Sequence, residues 1–382
     1  MALAEPLLEI AGARNGPETG ATLTVDLDAI ADNWQALTRR LFAVECGAVV
    51  KASAYGLGLE PVTARLVKAG CKTFFVADVA EGRRARSQTP EAAIYVLNGF
   101  APEAAQAFGD LDLRPVINST VELAEWDAFV AAQGWRGGAA IHVNTGMNRL
   151  GMPTEEAAAL ALRLQQENHG ITLLMSHLAC AEVQDHPLNA SQIRLFRELR
   201  MLYHGVPASL ANSSGIFLGD TAHFDLARPG AALYGINPTP GRDNPMRNVL
   251  TLTGRVLQVR KVPQGESVGY GAAWNAKRAS RIAVAACGYA DGLLRAGSGL
   301  DRKTGGSAIV AKKRCPIVGY ISMDLACIDV TDLPDNAVRR GDAATFIGEK
   351  LPIDEVATAA GTIGYEVLVR LGLRSHVAYR GG

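Results

Sequence analysis

Lys51 closes the apolar run CGAVVK (46–51) and opens the segment ASAYGLG. A lysine drawn partly out of water loses basicity, because desolvation disfavours the ammonium form. That is the property a Schiff-base lysine needs. Other polar residues end apolar runs in the same way: Asn98, Asn118, Asn144 with Arg149, His177, Asn212 with Ser213, and Arg228 with Gly230. Gathered on one rim, with a lysine, a histidine and arginines among them, they would form a reactive cluster. Taken singly, each is also what a strand end looks like. Lys51 alone reads most simply as a lysine snorkelling from its strand.

The cluster needs a scaffold that brings these distant strand ends together. Short β-branched runs recur at 46–51, 73–77, 94–99, 113–118, 139–144, 172–177, 207–213 and 223–230. Amphipathic helical patterns lie between them, at 61–69, 121–132, 154–167 and 190–203. Continuous apolar runs suit strands buried on both faces, and parallel strands need helical crossovers. The pattern predicts an α/β barrel of the (β/α)8, TIM type, whose catalytic groups sit at the carboxyl ends of the strands. A doubly wound sheet is the alternative. The opening TLTVDLDAIADNWQAL predicts a strand, an Asp28 cap and a helix feeding the barrel.

After about Asn248 the pattern changes to short alternating strands broken by Gly, Pro and Asp, with a helix near 353–360. The Pro- and Asn-rich stretch NPTPGRDNP (237–245) marks a linker. The predicted division is an N-terminal extension (1–20), a barrel (21–245) and a mainly β C-terminal domain (246–382).

The chain has 382 residues, 48% hydrophobic and 20% charged, as a globular protein does. Lys+Arg and Asp+Glu both total 38. With no net charge, no broad field draws nucleic acid or an anionic membrane, and recognition falls to a pocket. Glu5 and Glu9 near the start replace the basic region of a signal peptide. The apolar runs are too short for a membrane span. The six cysteines form no C-x-x-C pair, and the seven histidines show no ligand spacing. Reduced thiols, no metal site and a cytoplasmic location are expected.

Nine segments then occur in order: AVVKASAYGLG (48–58), NTGMNRLGM (144–152), SHLACAE (176–182), LANSSG (210–215), RPGAALYG (228–235), VGYGAAW (268–274), GYADG (288–292), ISMDLACIDV (321–330) and GYE (364–366). Together they resemble the alanine racemases, the pyridoxal-phosphate barrel family, over nearly the whole chain. Ser53 and Leu57 stand where the usual pattern has Asn and His.

The resemblance implies roles. Lys51 would hold pyridoxal 5'-phosphate covalently. Tyr55, Ser213, Gly230, Ala231 and Tyr365 would surround its phosphate, as hydroxyls and turn N–H groups suit an anion. His177 would lie near the ring, and Arg228 would face the ring nitrogen. An arginine cannot readily give that nitrogen a proton. Arg149 and Met323 would contact the substrate carboxylate, Met323 through its N–H and from a partner chain. Tyr289 would line the way in, although Leu293 and Leu294 replace the aromatic and proline of many relatives.

Racemisation needs a base on each face of Cα. The resemblance gives Lys51 the proton of the D-enantiomer and Tyr270 that of the L-enantiomer. It also implies a homodimer in which Tyr270 comes from the other subunit. A tyrosine with an ordinary pKa of about 10 needs a cationic neighbour for this task.

One departure is sharper. Many relatives carry a carboxylated lysine where this chain has His142, and Asp where it has Asn144. A histidine forms no stable carbamate, so Arg149 must be held by something else, such as a bound anion or another carboxylate. Alternatives to an alanine racemase are a broader-specificity or serine racemase and a non-catalytic cofactor-binding barrel. The second domain with Tyr270 speaks against the last.

Overall fold

The computed structural model describes residues 18–135, 137–166 and 169–382. Most of the predicted N-terminal extension, and the absence of a leader read from it, lie outside these residues.

Seven parallel strands follow one another in sequence order, from Ala48–Val49 through Thr73–Val76, Ala93–Val96, Leu113–Ile117, Ala139–His142 and Ile171–Met175 to Ala208–Ser209. Leu226–Ala227 pairs in parallel with Glu45–Cys46, the first half of the opening barrel strand, and on its other side Asp225 N–H reaches Ala208 O at 2.9 Å. Gly47 N–H reaches Ala227 O at 3.0 Å, and Val49 N–H reaches Pro229 O at 2.9 Å. The predicted strands were legible because their residues are buried on both faces, as in TFFV and AAIH. Phe74 and Phe75 are fully buried, each worth about 1.5–3 kcal/mol on removal from water.

The helices run at Leu59–Ala69, Thr120–Gln133, Thr154–Leu160 and Pro187–Arg200. The third ends earlier than its pattern suggests and continues as a tighter helix over Ala161–Gln165; Glu167 lies outside the described residues. Two further helices, Val79–Arg86 and Ala105–Asp110, lie outside the patterns read from the sequence. Gly82 in the first of them lets the backbone lie against Leu113, whose Cδ1 would be 2.8 Å from a Cβ there.

The first long helix starts at Leu27, and its cap is Asp26, not Asp28. Asp26 Oδ1 accepts from Ala29 N–H at 2.8 Å. Asp28 sits in the first turn, where a carboxylate meets the positive end of the helix, and pairs with Arg65 at 2.8 Å. The helix buries Leu27, Ile30, Trp34, Leu37 and Leu41, one face at helical spacing.

The opening strand, Ala21–Asp26, does not join the barrel. It lies between Leu250–Val262 (antiparallel) and His376–Arg380 (parallel), inside the second unit's sheet. Its alternating burial explains the choice: Ala21, Leu23 and Val25 turn inward and Thr22, Thr24 and Asp26 do not. That eight-stranded sheet also contains Ser280–Ala286, Ser307–Val310, Lys313–Pro316, Ala326–Asp329 and Ala343–Ile347. Short helices at Ile353–Ala359 and Gly364–Val369 follow. No helix among the described residues is long and apolar enough to cross a membrane. The six cysteines are unpaired, with Cys46, Cys71, Cys287 and Cys315 buried.

Candidate active site

A cavity of about 790 Å³ opens at the carboxyl ends of the barrel strands. Lys51, Tyr55, Arg149, His177, Ser213, Arg228, Gly230, Ala231 and Tyr365, all singled out in the sequence, line it. His142 lines it too.

Lys51 opens an unusual turn. Ala52, Ser53, Ala54 and Tyr55 all have φ between 53° and 55°, in the left-handed region. Such a conformation costs a non-glycine residue about 1–2 kcal/mol. Tertiary contacts hold it. Ser53 N–H donates to Glu81 Oε1 at 2.9 Å, and Gly56, itself at φ 87°, ends the turn. A Cβ on Gly56 would lie 2.6 Å from Leu368 O, so the turn packs directly on the helix that carries Tyr365. Burial, with Arg149 nearby, brings the Lys51 ammonium below the ordinary lysine value, while Glu81 pulls the other way.

Arg228 is only 3% exposed. Its guanidinium donates to Ser209 Oγ at 2.5 Å, Ser176 O at 2.6 Å and His177 Nδ1 at 3.3 Å. It has no carboxylate partner among the described residues. Burial lowers it to about 9, which leaves it cationic at neutral pH. A guanidinium has no acceptor, so His177 Nδ1 accepts and the neutral ring carries its proton on Nε2. Burial first, then Arg228, Arg149, His142 and Lys51, hold His177 well below the ordinary histidine value.

At the far end, Ser213 Oγ accepts from Gly230 N–H at 3.0 Å and Ala232 N–H at 3.1 Å. Gly230 N–H is therefore already used, and what Gly230 contributes is space: a Cβ there would sit 2.4 Å from Tyr55 Oη. The Ser213 hydroxyl hydrogen and Ala231 N–H remain available. The Tyr55 ring lies 4.7 Å from Tyr234 and 6.2 Å from Tyr365. Burial raises both Tyr55 and Tyr365, the latter to about 12, so their hydroxyls stay protonated donors at neutral pH. This end offers donors to a dianion, and the middle offers a buried cation without a counter-ion. The residues fit pyridoxal phosphate.

Tyr270, Tyr289 and Met323 are not in the cavity. They are 72%, 42% and 53% exposed on the β unit. Tyr289 N–H donates to Ser322 O and Ala290 N–H to Met323 O, both at 3.0 Å, so Tyr289 and Met323 are brought together. The loop is anchored by Asp291, buried at 3%, which accepts from Gly288 N–H and pairs with Arg374 at 2.7 Å. Sequence reading missed Glu81, Asn118's bond to His142, and the Asp291–Arg374 pair. Glu81 follows the Asp78 cap at N3, a signal that a helix begins there but not of a tie to Ser53. No group of three or more His, Cys, Asp or Glu residues suited to a metal occurs among the described residues.

Residues 25–238 match the family model described as alanine racemase, N-terminal domain, and residues 249–379 the one described as alanine racemase, C-terminal domain. An alanine racemase of Methylobacterium sp. (strain 4-46) is 51% identical over 360 residues, covering 94% of this chain and 98% of that relative. One from Rhizobium meliloti (strain 1021) is 47% identical, covering 94% and 97%. The solved alanine racemase from Bartonella henselae, with covalently bound pyridoxal phosphate, is 36% identical with a TM-score of 0.88, covering 95% of this chain and 100% of that one.

Proposed function

The chain belongs to the alanine racemase family, and from that premise we propose how its residues interconvert L- and D-alanine. The enzyme is a pyridoxal-phosphate-dependent isomerase. Bound at Lys51, the cofactor supplies an electron-withdrawing ring that makes the Cα proton of the amino acid removable.

Lys51 Nζ, once freed from that bond, takes or returns the Cα proton on the D face. The lowered basicity of the buried amine favours its acting as a base. Tyr270 of the partner subunit serves the L face. One group removes a proton while the other returns one, so protons balance over a turnover and the two groups exchange protonation states. Arg228 would face the ring nitrogen as a donor that stays charged, and so would not readily give it a proton, a setting that would favour return of the proton at Cα over side reactions. Arg149 and the Met323 N–H of the partner subunit hold the carboxylate, and Tyr289 lines the way in. Tyr55, Ser213, Ala231 and Tyr365 would donate to the phosphate, in space that Gly230 leaves free.

The observation that carries this reading is Arg228, buried without a carboxylate partner among the described residues and bonded to His177 in the same cavity as Lys51. The homodimer is supported by the exposure of Tyr270 and Met323 outside the cavity, which leaves one chain without its second base. The unpaired thiols support the cytoplasm as its compartment. Borohydride reduction of the yellow holoenzyme, followed by peptide mapping, tests the assignment. The cofactor should be fixed to the Lys51 peptide, and label on another lysine would refute it. An assay over a panel of L-amino acids should show alanine preferred. Equal turnover of serine and larger substrates would favour a broad-specificity racemase instead.

A further inference from the structure

Tyr289 and Met323 sit on two loops that are far apart in the chain. The first covers residues 288–292. The second is a tight turn over 322–325, closed by Ser322 N–H to Leu325 O at 2.9 Å and by Leu325 N–H to Ser322 Oγ at 3.1 Å. The Met323 N–H has no acceptor among the described residues, as a donor held ready for a carboxylate requires.

Arg374 reaches both loops. It lies between the helix Gly364–Val369 and the strand His376–Arg380. Its Nε donates to Asp291 Oδ1 at 3.0 Å and its Nη2 to Asp291 Oδ2 at 2.7 Å, a two-pronged pairing with a buried carboxylate. The third nitrogen, Nη1, donates to Asp324 Oδ1. Asp291 is two residues after Tyr289, and Asp324 follows Met323 directly. One planar guanidinium therefore fixes the spacing of the two loops, which a point charge such as an ammonium could not do.

Resting on the shared-site racemase reading, we propose that Arg374 is a positioning residue that acts across the dimer: it clamps the loops that one subunit lends to its partner's cavity, and so sets the grip on substrate there and not in its own cavity. Without it, Asp291 keeps only its bond from Gly288 N–H, and the turn that carries Met323 loses its tie to the loop's anchor. A misplacement of about 1 Å at a positioning group can cost about 10²-fold.

Two dimers of identical composition separate this role from a loss of stability. In the first, an Arg374→Met chain is paired with a Lys51→Ala chain. Its one site with an intact lysine receives loops that keep the clamp. In the second, an unaltered chain is paired with a chain carrying both substitutions, so the one site with an intact lysine receives loops that have lost it. Both are isolated as holoenzymes through two different affinity tags, beside a reference dimer of unaltered and Lys51→Ala chains. The first should match the reference. The second should show a KM for alanine raised about ten- to a hundredfold, with kcat less affected and the cofactor's visible band unchanged. Arg374→Lys in the second arrangement should recover only part of the loss. Equal KM values in the two dimers, or a loss in the first alone, would overturn the proposal. The same arrangements with Tyr270→Phe in place of Arg374→Met test the shared site by itself, which requires activity in the first only. If that control holds and the Arg374 dimers do not differ, the clamp alone falls. A reference dimer that does not racemise alanine would refute the functional reading and the proposal with it.

Discussion

The Glu81 carboxylate joins Ser53 to Ala77: Ser53 N–H donates to Oε1 and Ala77 N–H to Oε2, each at 2.9 Å. One side chain thus ties the left-handed turn after Lys51 to the end of the neighbouring barrel strand. The turn has no glycine within Ala52–Tyr55 to relieve its cost. Glu81→Leu should therefore lower stability by about 3 kcal/mol, the loss of charge-assisted hydrogen bonds. The cofactor should also dissociate faster, because Lys51 is no longer held. Denaturant titration and dilution kinetics of the visible band check this. Unchanged values in both would show that the turn holds itself.

Acid should weaken the fold through its buried histidines. His142 is held at about 4 against an ordinary 6.5. Between those values the unfolded chain takes up a proton that the folded chain refuses. The stability is present above about pH 6.5 and lost as pH falls toward about 4, at about 1.4 kcal/mol per unit. The loss from His142 comes to about 3 kcal/mol, and His177 adds to it with the same sign. Urea midpoints should fall over this window, and less so in His142→Gln. A flat profile would mean that the ring is not buried neutral.

The barrel was legible because a parallel strand covered on both faces needs an unbroken apolar run, and such runs stand out. Its rim was legible for the same reason, since Lys51, His177 and Arg228 are where the runs end. The left-handed turn was not. Nothing in Ala52–Tyr55 demands positive φ, and the demand comes from Glu81 and Leu368, far along the chain. Asp26 and Asp28 are equally good caps by type, and the choice was made by Arg65 and by Arg380, which reaches Asp26 at 2.8 Å. The Asp291–Arg374 pair joins residues with no shared local pattern. Pairing across such distances leaves no periodicity to read.

Tyr270→Phe should separate the two faces of the reaction. Removal of the L-alanine Cα proton should slow by roughly 10²–10⁴-fold, the range for a lost general base. Exchange of the D-alanine proton, assigned to Lys51, should be affected far less. Washout of Cα deuterium from each enantiomer measures this. Equal losses would indicate a single base.

The shared site can be tested by mixing. Lys51→Ala and Tyr270→Phe enzymes should each be nearly inactive alone. After subunit exchange, half of the dimers would combine the two chains, each with one intact site and one doubly altered one. Activity should recover to about a quarter of wild type, the fraction random pairing of a two-fold dimer allows. No recovery, with exchange verified by mass-labelled chains, would contradict a site built from Lys51 of one subunit and Tyr270 of the other.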